Sequence, residues 1–285
     1  MQTLQDQLRE YLAGWRNDMS PAWDEFFAGI EPDLEAVDST LLGPSELPVI
    51  PGRRGKPLAG APEGAHVFRA FDDIVPARVR VVVIGQDPYP RVTRATGRAF
   101  EDGALIDWSG EVAVSLQRVV QSALAYRYRR LDFATGPGGW AQIQSMLVTG
   151  ALALEPQRDF FDRLQRQGVL FVNASWTLTR FMPGGAPEQV AQVAMWRPMV
   201  RHLIQGLIER RQGVVFLLLG AFAQGVFAQS GGGGVEQDGA PLAGFAAVRH
   251  PHPNAKGACG YFSKRNPLAQ VNARLTQMSQ PSIEW

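Results

Sequence analysis

Val79-Arg80-Val81-Val82-Val83-Ile84-Gly85-Gln86-Asp87-Pro88-Tyr89-Pro90 is the stretch that decides the fold. Its first six positions hold five β-branched apolar residues with no alternation of polarity. β-branched side chains fit a pleated strand, and a continuous apolar run fits a strand covered on both faces. Gly85 and Pro88 then end the strand in a turn, with an aspartate between them.

Three more runs of the same kind follow: Gly168-Val169-Leu170-Phe171-Val172, Val214-Val215-Phe216-Leu217-Leu218-Leu219 and Phe245-Ala246-Ala247-Val248. Helical spacing lies between them. Val193, Trp196, Val200, Leu203, Ile204 and Leu207 make one apolar stripe, and Val112, Leu116, Val119, Val120 and Ala123 another. Both read as core-facing helix faces. Asn266 before Pro267, and Ser20 before Pro21, read as helix starts. Strands alternating with helices predict an α/β fold: a single domain over 1–285, built on a central four-stranded parallel sheet flanked by helices on both faces. Within it, 1–65 reads as an N-terminal helical and loop extension. Thr135-Gly136-Pro137-Gly138-Gly139 reads as a surface loop, and Ser230 to Gly234 as a flexible loop tip.

The 285 residues are 45% hydrophobic and carry a formal net charge of +1. That charge excludes a broadly basic nucleic-acid binder, so any DNA contact must come from local patches. Arg91, Arg94 and Arg98, then Arg127, Arg129 and Arg130, then Arg249, Lys256, Lys264 and Arg265 are the candidates, although such clusters are more often ordinary solvated surface. The one cysteine, Cys259, excludes a disulfide framework, a cysteine-rich zinc site and an iron–sulfur cluster within one chain. No cofactor and no metal is expected. Met1 to Arg9 lacks an apolar core for a signal peptide, and no apolar run is long enough to span a membrane. The expectation is a cytoplasmic monomer, nucleoid-associated when on DNA, with no membrane partner.

In open parallel sheets ligands bind beyond the carboxyl ends of the strands. There the sequence places Gly85 to Pro90, then Asn173, then Gly220-Ala221, then Arg249-His250-Pro251-His252-Pro253. Singly, Asp87 is most often a turn former, and Asn173 or His250 an ordinary polar residue. Together they bring a carboxylate, a carboxamide and an imidazole to one rim.

These segments resemble the family-1 uracil-DNA glycosylases. Val83 to Tyr89 is similar to their water-activating loop and Gly168 to Asn173 to their uracil-reading strand. Val215 to Gln224 resembles a third family segment. His250 to Pro253, with Phe262-Ser263-Lys264, resembles a fourth, and Pro281-Ser282-Ile283-Glu284-Trp285 the family's ending. The likeness runs in order from about Val67 to the C-terminus, except over 129–157, which has no good counterpart in the family and is thereby implied to be an inserted loop and helix. It implies release of uracil from DNA by hydrolysis of the glycosidic bond, in base excision repair. Asp87 would stabilise the sugar cation and orient water; His250 would donate a hydrogen bond to uracil O2, with Gln86 N–H assisting. Asn173 would read O4 and N3, Tyr89 would exclude the thymine methyl, and Phe100 would stack on the base. The target base must be flipped out of the duplex while the backbone is gripped. Pro88, Pro90, Ala221, Pro251, His252, Pro253 and Asn254 are the candidate DNA contacts, with the loop Leu47 to Arg54 as a further clamp. Single- or double-stranded uracil-containing DNA is the expected partner. The rival reading is a DNA-binding replication or repair accessory module with residual or shifted base excision.

The sequence also departs from the family. Pro90 stands where the family carries histidine, and His252 and Ala221 where it carries serine. Asn254 stands in place of a leucine wedge that fills the gap left by the flipped base. The resemblance therefore implies weak plugging of that gap, and weak binding of the phage-type protein inhibitor that grips the same wedge.

Overall fold

The four apolar runs form the four strands of one sheet, β1 (Val81–Gly85), β2 (Val169–Asn173), β3 (Val214–Leu219) and β4 (Phe245–His250), ordered β2-β1-β3-β4. Every pairing is parallel, with Gly85 beside Asn173 and Leu219 beside His250. The computed structural model describes residues 2–44, 46–232 and 244–285. The predicted parallel α/β fold is thus the observed one, with small shifts at the strand ends. Val79 follows a 3-10 turn (Pro76–Arg78) instead of opening β1. Arg249 and His250 belong to β4, because its ladder with β3 continues to the last residue of both strands.

The helices are α1 (Leu4–Leu12), α2 (Pro21–Phe26), α3 (Val114–Arg127), α4 (Gly139–Val148), α5 (Gln157–Arg166), α6 (Pro187–Glu209), α7 (Ala221–Phe227) and α8 (Pro267–Gln277). Strand side chains alternate between two cores, which explains the lack of polarity alternation. Val82, Ile84, Leu170, Val172, Phe216 and Leu218 join a core with residues of α1, α2, α6 and α7. Val81, Val83, Val169, Phe171, Leu217, Leu219 and Val248 join the other, with α3, α4, α5 and α8. Each such side chain contributes roughly 1.5–3 kcal/mol by leaving water.

The first 65 residues are woven into the first of these cores through Leu4, Leu8, Leu12, Trp15, Trp23 and Phe27. Trp23 is fully buried, and its Nε1 donates to Ile74 O at 2.7 Å. Asn266 caps α8, its side chain accepting from Leu268 N and Ala269 N. Ser20 precedes α2 but its hydroxyl caps nothing. Between 129 and 157 lie a 3-10 turn (Leu131–Ala134) and α4, and Gly139 opens α4 instead of ending a loop. A π-type turn (Ala228–Gly232) follows α7, with Ser230 and Gly231 already out of helical geometry; Gly233 and Gly234 lie outside the described residues.

Candidate active site

The carboxyl ends of the strands open into a cleft of about 340 Å³. Its lining includes Gln86, Asp87, Pro88, Tyr89, Pro90, Phe100, Asn173 and His252. These come from the turn after β1, the end of β2, the loop before α3 and the turn after β4. Parallel pairing brings them to one edge.

Asn173 closes β2 and is only 4% exposed. Its side chain lies over Gly85: a Cβ there would stand 2.2 Å from Asn173 Oδ1. Glycine at 85 is therefore required by close approach. Among the described residues the Asn173 carboxamide has no hydrogen-bond partner, so both its ends remain for a ligand. Backbone bonds from Ala174 N to Gly85 O and from Ser175 N to Gln86 O tie the β1 turn to β2 beside it.

Asp87 is half-buried in the cleft, and its two oxygens differ. Oδ2 accepts a 2.5 Å hydrogen bond from Gln189 Nε2 of α6, whereas Oδ1 is buried and has no partner. Burial lifts the carboxyl pKa to about 6, against the pull of the Gln189 and Gln86 amides. At neutral pH the group is still mostly ionised. Nothing in the local sequence marks Gln189 as part of this site. The faint signal is Pro187 with Gln189 two positions on, a helix-start pattern.

Tyr89 and Phe100 form one wall. Tyr89 Oη lies 3.5 Å from Phe100 O, and the Arg94 guanidinium sits 4.8 Å from the Tyr89 ring centroid. Burial raises the Tyr89 pKa further above its ordinary value, so the phenol stays neutral. Phe100 holds a left-handed backbone at φ 67°, unusual for an aromatic residue and the kind of strain that collects at binding sites.

His250 is placed differently from the rest. It ends β4, is 1% exposed, and is absent from the cleft lining, where its register partner Leu219 and His252 appear. Its ring packs edge-on against Tyr261 at 4.6 Å. Nδ1 lies 3.3 Å from Pro251 O, and the buried Nε2 has no partner. Burial pulls its pKa down, so the ring is neutral at physiological pH. A neutral ring carries a single N–H, and the backbone carbonyls of Pro251 and Arg265 both bear on it.

The remaining candidates divide. Pro88 and Pro253 are buried, Pro251 is half-buried and Pro90 is exposed at the cleft. His252 packs against Gly220, whose Cβ would stand 2.8 Å from that of His252. Asn254 N donates to His252 Nδ1 at 3.1 Å, which leaves Nε2–H as the free donor of a neutral ring. Asn254 is exposed, and its Oδ1 accepts from Ser115 Oγ at 3.5 Å. Ala221 lines a neighbouring pocket of about 380 Å³ with Arg197, Arg201 and Phe222.

Several basic candidates are already engaged inside the protein. Arg98 is buried and bridged to Glu101 and Asp162, so it cannot meet DNA. Arg94 is paired with Asp102, Arg130 with Asp132, and Arg127 donates to the Trp285 carbonyl. In the 47–54 loop, Arg53 is buried on Asp18 and Arg54 pairs with Asp72, so the loop's cations brace the fold. A larger cavity of about 980 Å³ lies near the C-terminus, but its Arg127 and Arg163 are tied to Glu155 and to chain-end carbonyls.

A cleft at the carboxyl edge of a parallel sheet, with a half-buried carboxylate, an unpaired carboxamide and an aromatic wall, is the kind of site in which an α/β enzyme holds a small planar ligand. The profile of the Uracil DNA glycosylase superfamily matches residues 71–276. The chain belongs to the uracil-DNA glycosylase superfamily, and family 1 is the branch it fits. It is 28% identical over 260 residues to the uracil-DNA glycosylase of Xanthomonas euvesicatoria pv. vesicatoria, covering 90% of each chain. Its fold is similar to that of the wild-type UNG of Nitratifractor salsuginis, with 22% identity, a TM-score of 0.59 and 96% of each chain covered. It is also similar to mimivirus UNG Y322L, solved in complex with UGI, with 15% identity, a TM-score of 0.60 and 96% and 94% covered.

Proposed function

We propose that this protein releases uracil from DNA by hydrolysing the N-glycosidic bond of deoxyuridine, leaving an abasic site for base excision repair. The observation that carries the reading is the pairing, in one cleft, of the half-buried Asp87 with the unpartnered carboxamide of Asn173.

The C1′–N1 bond breaks with its electron pair leaving on uracil, while the sugar becomes an oxocarbenium cation. Water then adds its oxygen to C1′ and gives up a proton. Asp87, ionised above about pH 6, stabilises the cation and takes that proton. Asn173 donates its N–H to uracil O4 and accepts from N3–H. Cytosine presents the opposite pattern there and would leave buried groups unpaired. Tyr89 and Phe100 supply the wall that meets C5 and the ring face.

Asn173 and His250 stand three strand spacings apart, about 14 Å. A pyrimidine with a hydrogen bond of about 3 Å at each end, reached by the two side chains, fits that span. The donor role of His250 at uracil O2 needs a proton on Nε2. The buried, unpartnered Nε2 is ready for such a partner, since the bond would relieve an unsatisfied polar atom.

The test is release of free base from oligonucleotides carrying one uracil, thymine or cytosine, in single- and double-stranded form. Release of uracil alone is expected. Tight binding of DNA with no release of any base would favour the accessory-module reading.

A further inference from the structure

Gln189 has no assigned role, yet it is the one residue of α6 that reaches the reacting carboxylate. It is 4% exposed and sits in the first turn of α6, a helix of 23 residues. Its amide orientation is not free. Oε1 accepts from Ala186 N at 3.4 Å, the reach-back bond of a helix cap. The NH₂ group must then be the end that meets Asp87, and Nε2 donates to Oδ2 at 2.5 Å. With the amide reversed, an oxygen would face a carboxylate and an NH₂ would face an N–H.

We propose that Gln189 is a positioning residue for glycosidic-bond cleavage: anchored by its own helix cap, it clamps Asp87 Oδ2 and leaves Oδ1 as the oxygen that meets the water and the sugar cation. This inference rests on the proposed uracil release. The structure supports it on three counts. Oδ1 is buried and without a partner, so the two oxygens are already distinguished. The clamp comes from α6, 102 residues away from Asp87, so it locks the β1 turn to an element of the opposite wall. Position 90, where the resembled family carries histidine, holds a proline with no side-chain polar group. Position 90 thus offers the carboxylate no partner; the Gln86 and Gln189 amides stand beside it, and Gln189 is the one within hydrogen-bond distance.

Burial raises the Asp87 pKa, and holding the carboxylate favours its ionised form, so the clamp lowers the pH at which the enzyme turns on. Other ionisable groups stand around Asp87. Tyr89, Arg98 and His252 line the same cleft. His250 lies behind it, and Glu188 of α6 faces Arg180 at 3.4 Å. None of these is within hydrogen-bond reach of Asp87, so changing residue 189 should move the Asp87 titration selectively.

The decisive variants are Gln189→Glu and Gln189→Lys. Glutamate is the alternative cap residue, so it keeps the Ala186 bond and the fold while turning the donor toward Asp87 into an anion. Lysine restores a donor and adds positive charge. Single-turnover uracil release from a single-stranded oligonucleotide is measured from pH 5 to 9, with substrate affinity and melting temperature alongside. For Gln189→Glu the rate at pH 7 should fall at least tenfold and the acid limb should move up by about one pH unit. KM should change less than about twofold. For Gln189→Lys the limb should move down. Direct titration of the Asp87 carboxyl carbon by NMR, in the parent and in Gln189→Leu, gives a readout that needs no activity. An upward shift in the leucine variant is expected. Unmoved limbs in both charged variants, or an unmoved NMR titration, would overturn the clamp. A moved NMR titration in a protein that releases no uracil would instead overturn the proposed function.

Discussion

Replacing Asp87 by asparagine should abolish turnover and stabilise the fold, and the two effects should follow pH together. The carboxyl pKa is about 6 in the folded protein, against 3.8 for the unconstrained group. The folded state therefore prefers the protonated acid. The stability this confers is fully present below about pH 3.8 and is lost as pH rises through 6. The shift of about 2.2 units corresponds to roughly 3 kcal/mol of lost stability at pH 8, and to roughly half of that at pH 5. Asparagine cannot ionise, so it escapes the loss. Its oxygen can still accept from Gln189, but its NH₂ would take the place of the unpartnered Oδ1, a cost of about 1 kcal/mol. A net gain of about 2 kcal/mol at pH 8 is expected, shrinking to about 0.5 kcal/mol at pH 5. Equilibrium urea unfolding of the parent and Asp87→Asn at both pH values measures it. Uracil release should fall at least roughly 100-fold, as for loss of a charge that faces a developing cation. A stability gain independent of pH would refute the burial account of the carboxylate. Equal rates in parent and variant would refute its place in the reaction.

Gly85→Ala should cost activity more than folding. The new Cβ meets Asn173 Oδ1 at 2.2 Å and the Ala99 Cβ at 2.9 Å, so the Asn173 carboxamide must move. Destabilisation of about 1–3 kcal/mol and loss of uracil affinity are expected, by urea unfolding and by binding of free uracil. Tyr89→Ala should open the wall near C5 and allow measurable thymine release, with slower uracil release; absence of any thymine product at high enzyme would count against that role. Asn254→Leu should raise affinity for abasic product DNA and for the phage-type inhibitor, since an apolar wedge replaces an exposed polar tip. Unchanged binding of both would show that this position does not plug the stack.

The sheet was legible because its signal is local. Four β-branched or apolar runs, each ended by glycine, proline or a polar residue, mark buried strands wherever they pack. The carboxyl-edge rule then placed Asp87 and Asn173 correctly. The strand ends were less legible, since whether Arg249 and His250 join β4 depends on β3 continuing beside them. Basic clusters were the least legible. Arg98 looks like a surface cation beside Arg94, yet it is buried on Glu101 and Asp162, the second of which comes from α5.

The sequence by itself determined the parallel sheet, the rim on which chemistry would sit and the family resemblance, because strand propensity and turn chemistry act over a few residues. Only the tertiary structure decided which atoms are engaged and which are left over. It gave Asp87 a raised pKa and a clamp from Gln189, left the Asn173 amide unpaired, and set His250 behind the cleft with its Nε2 buried and unpartnered. Burial and hydrogen bonding across a hundred residues of chain set those states, and no local stretch of sequence encodes them.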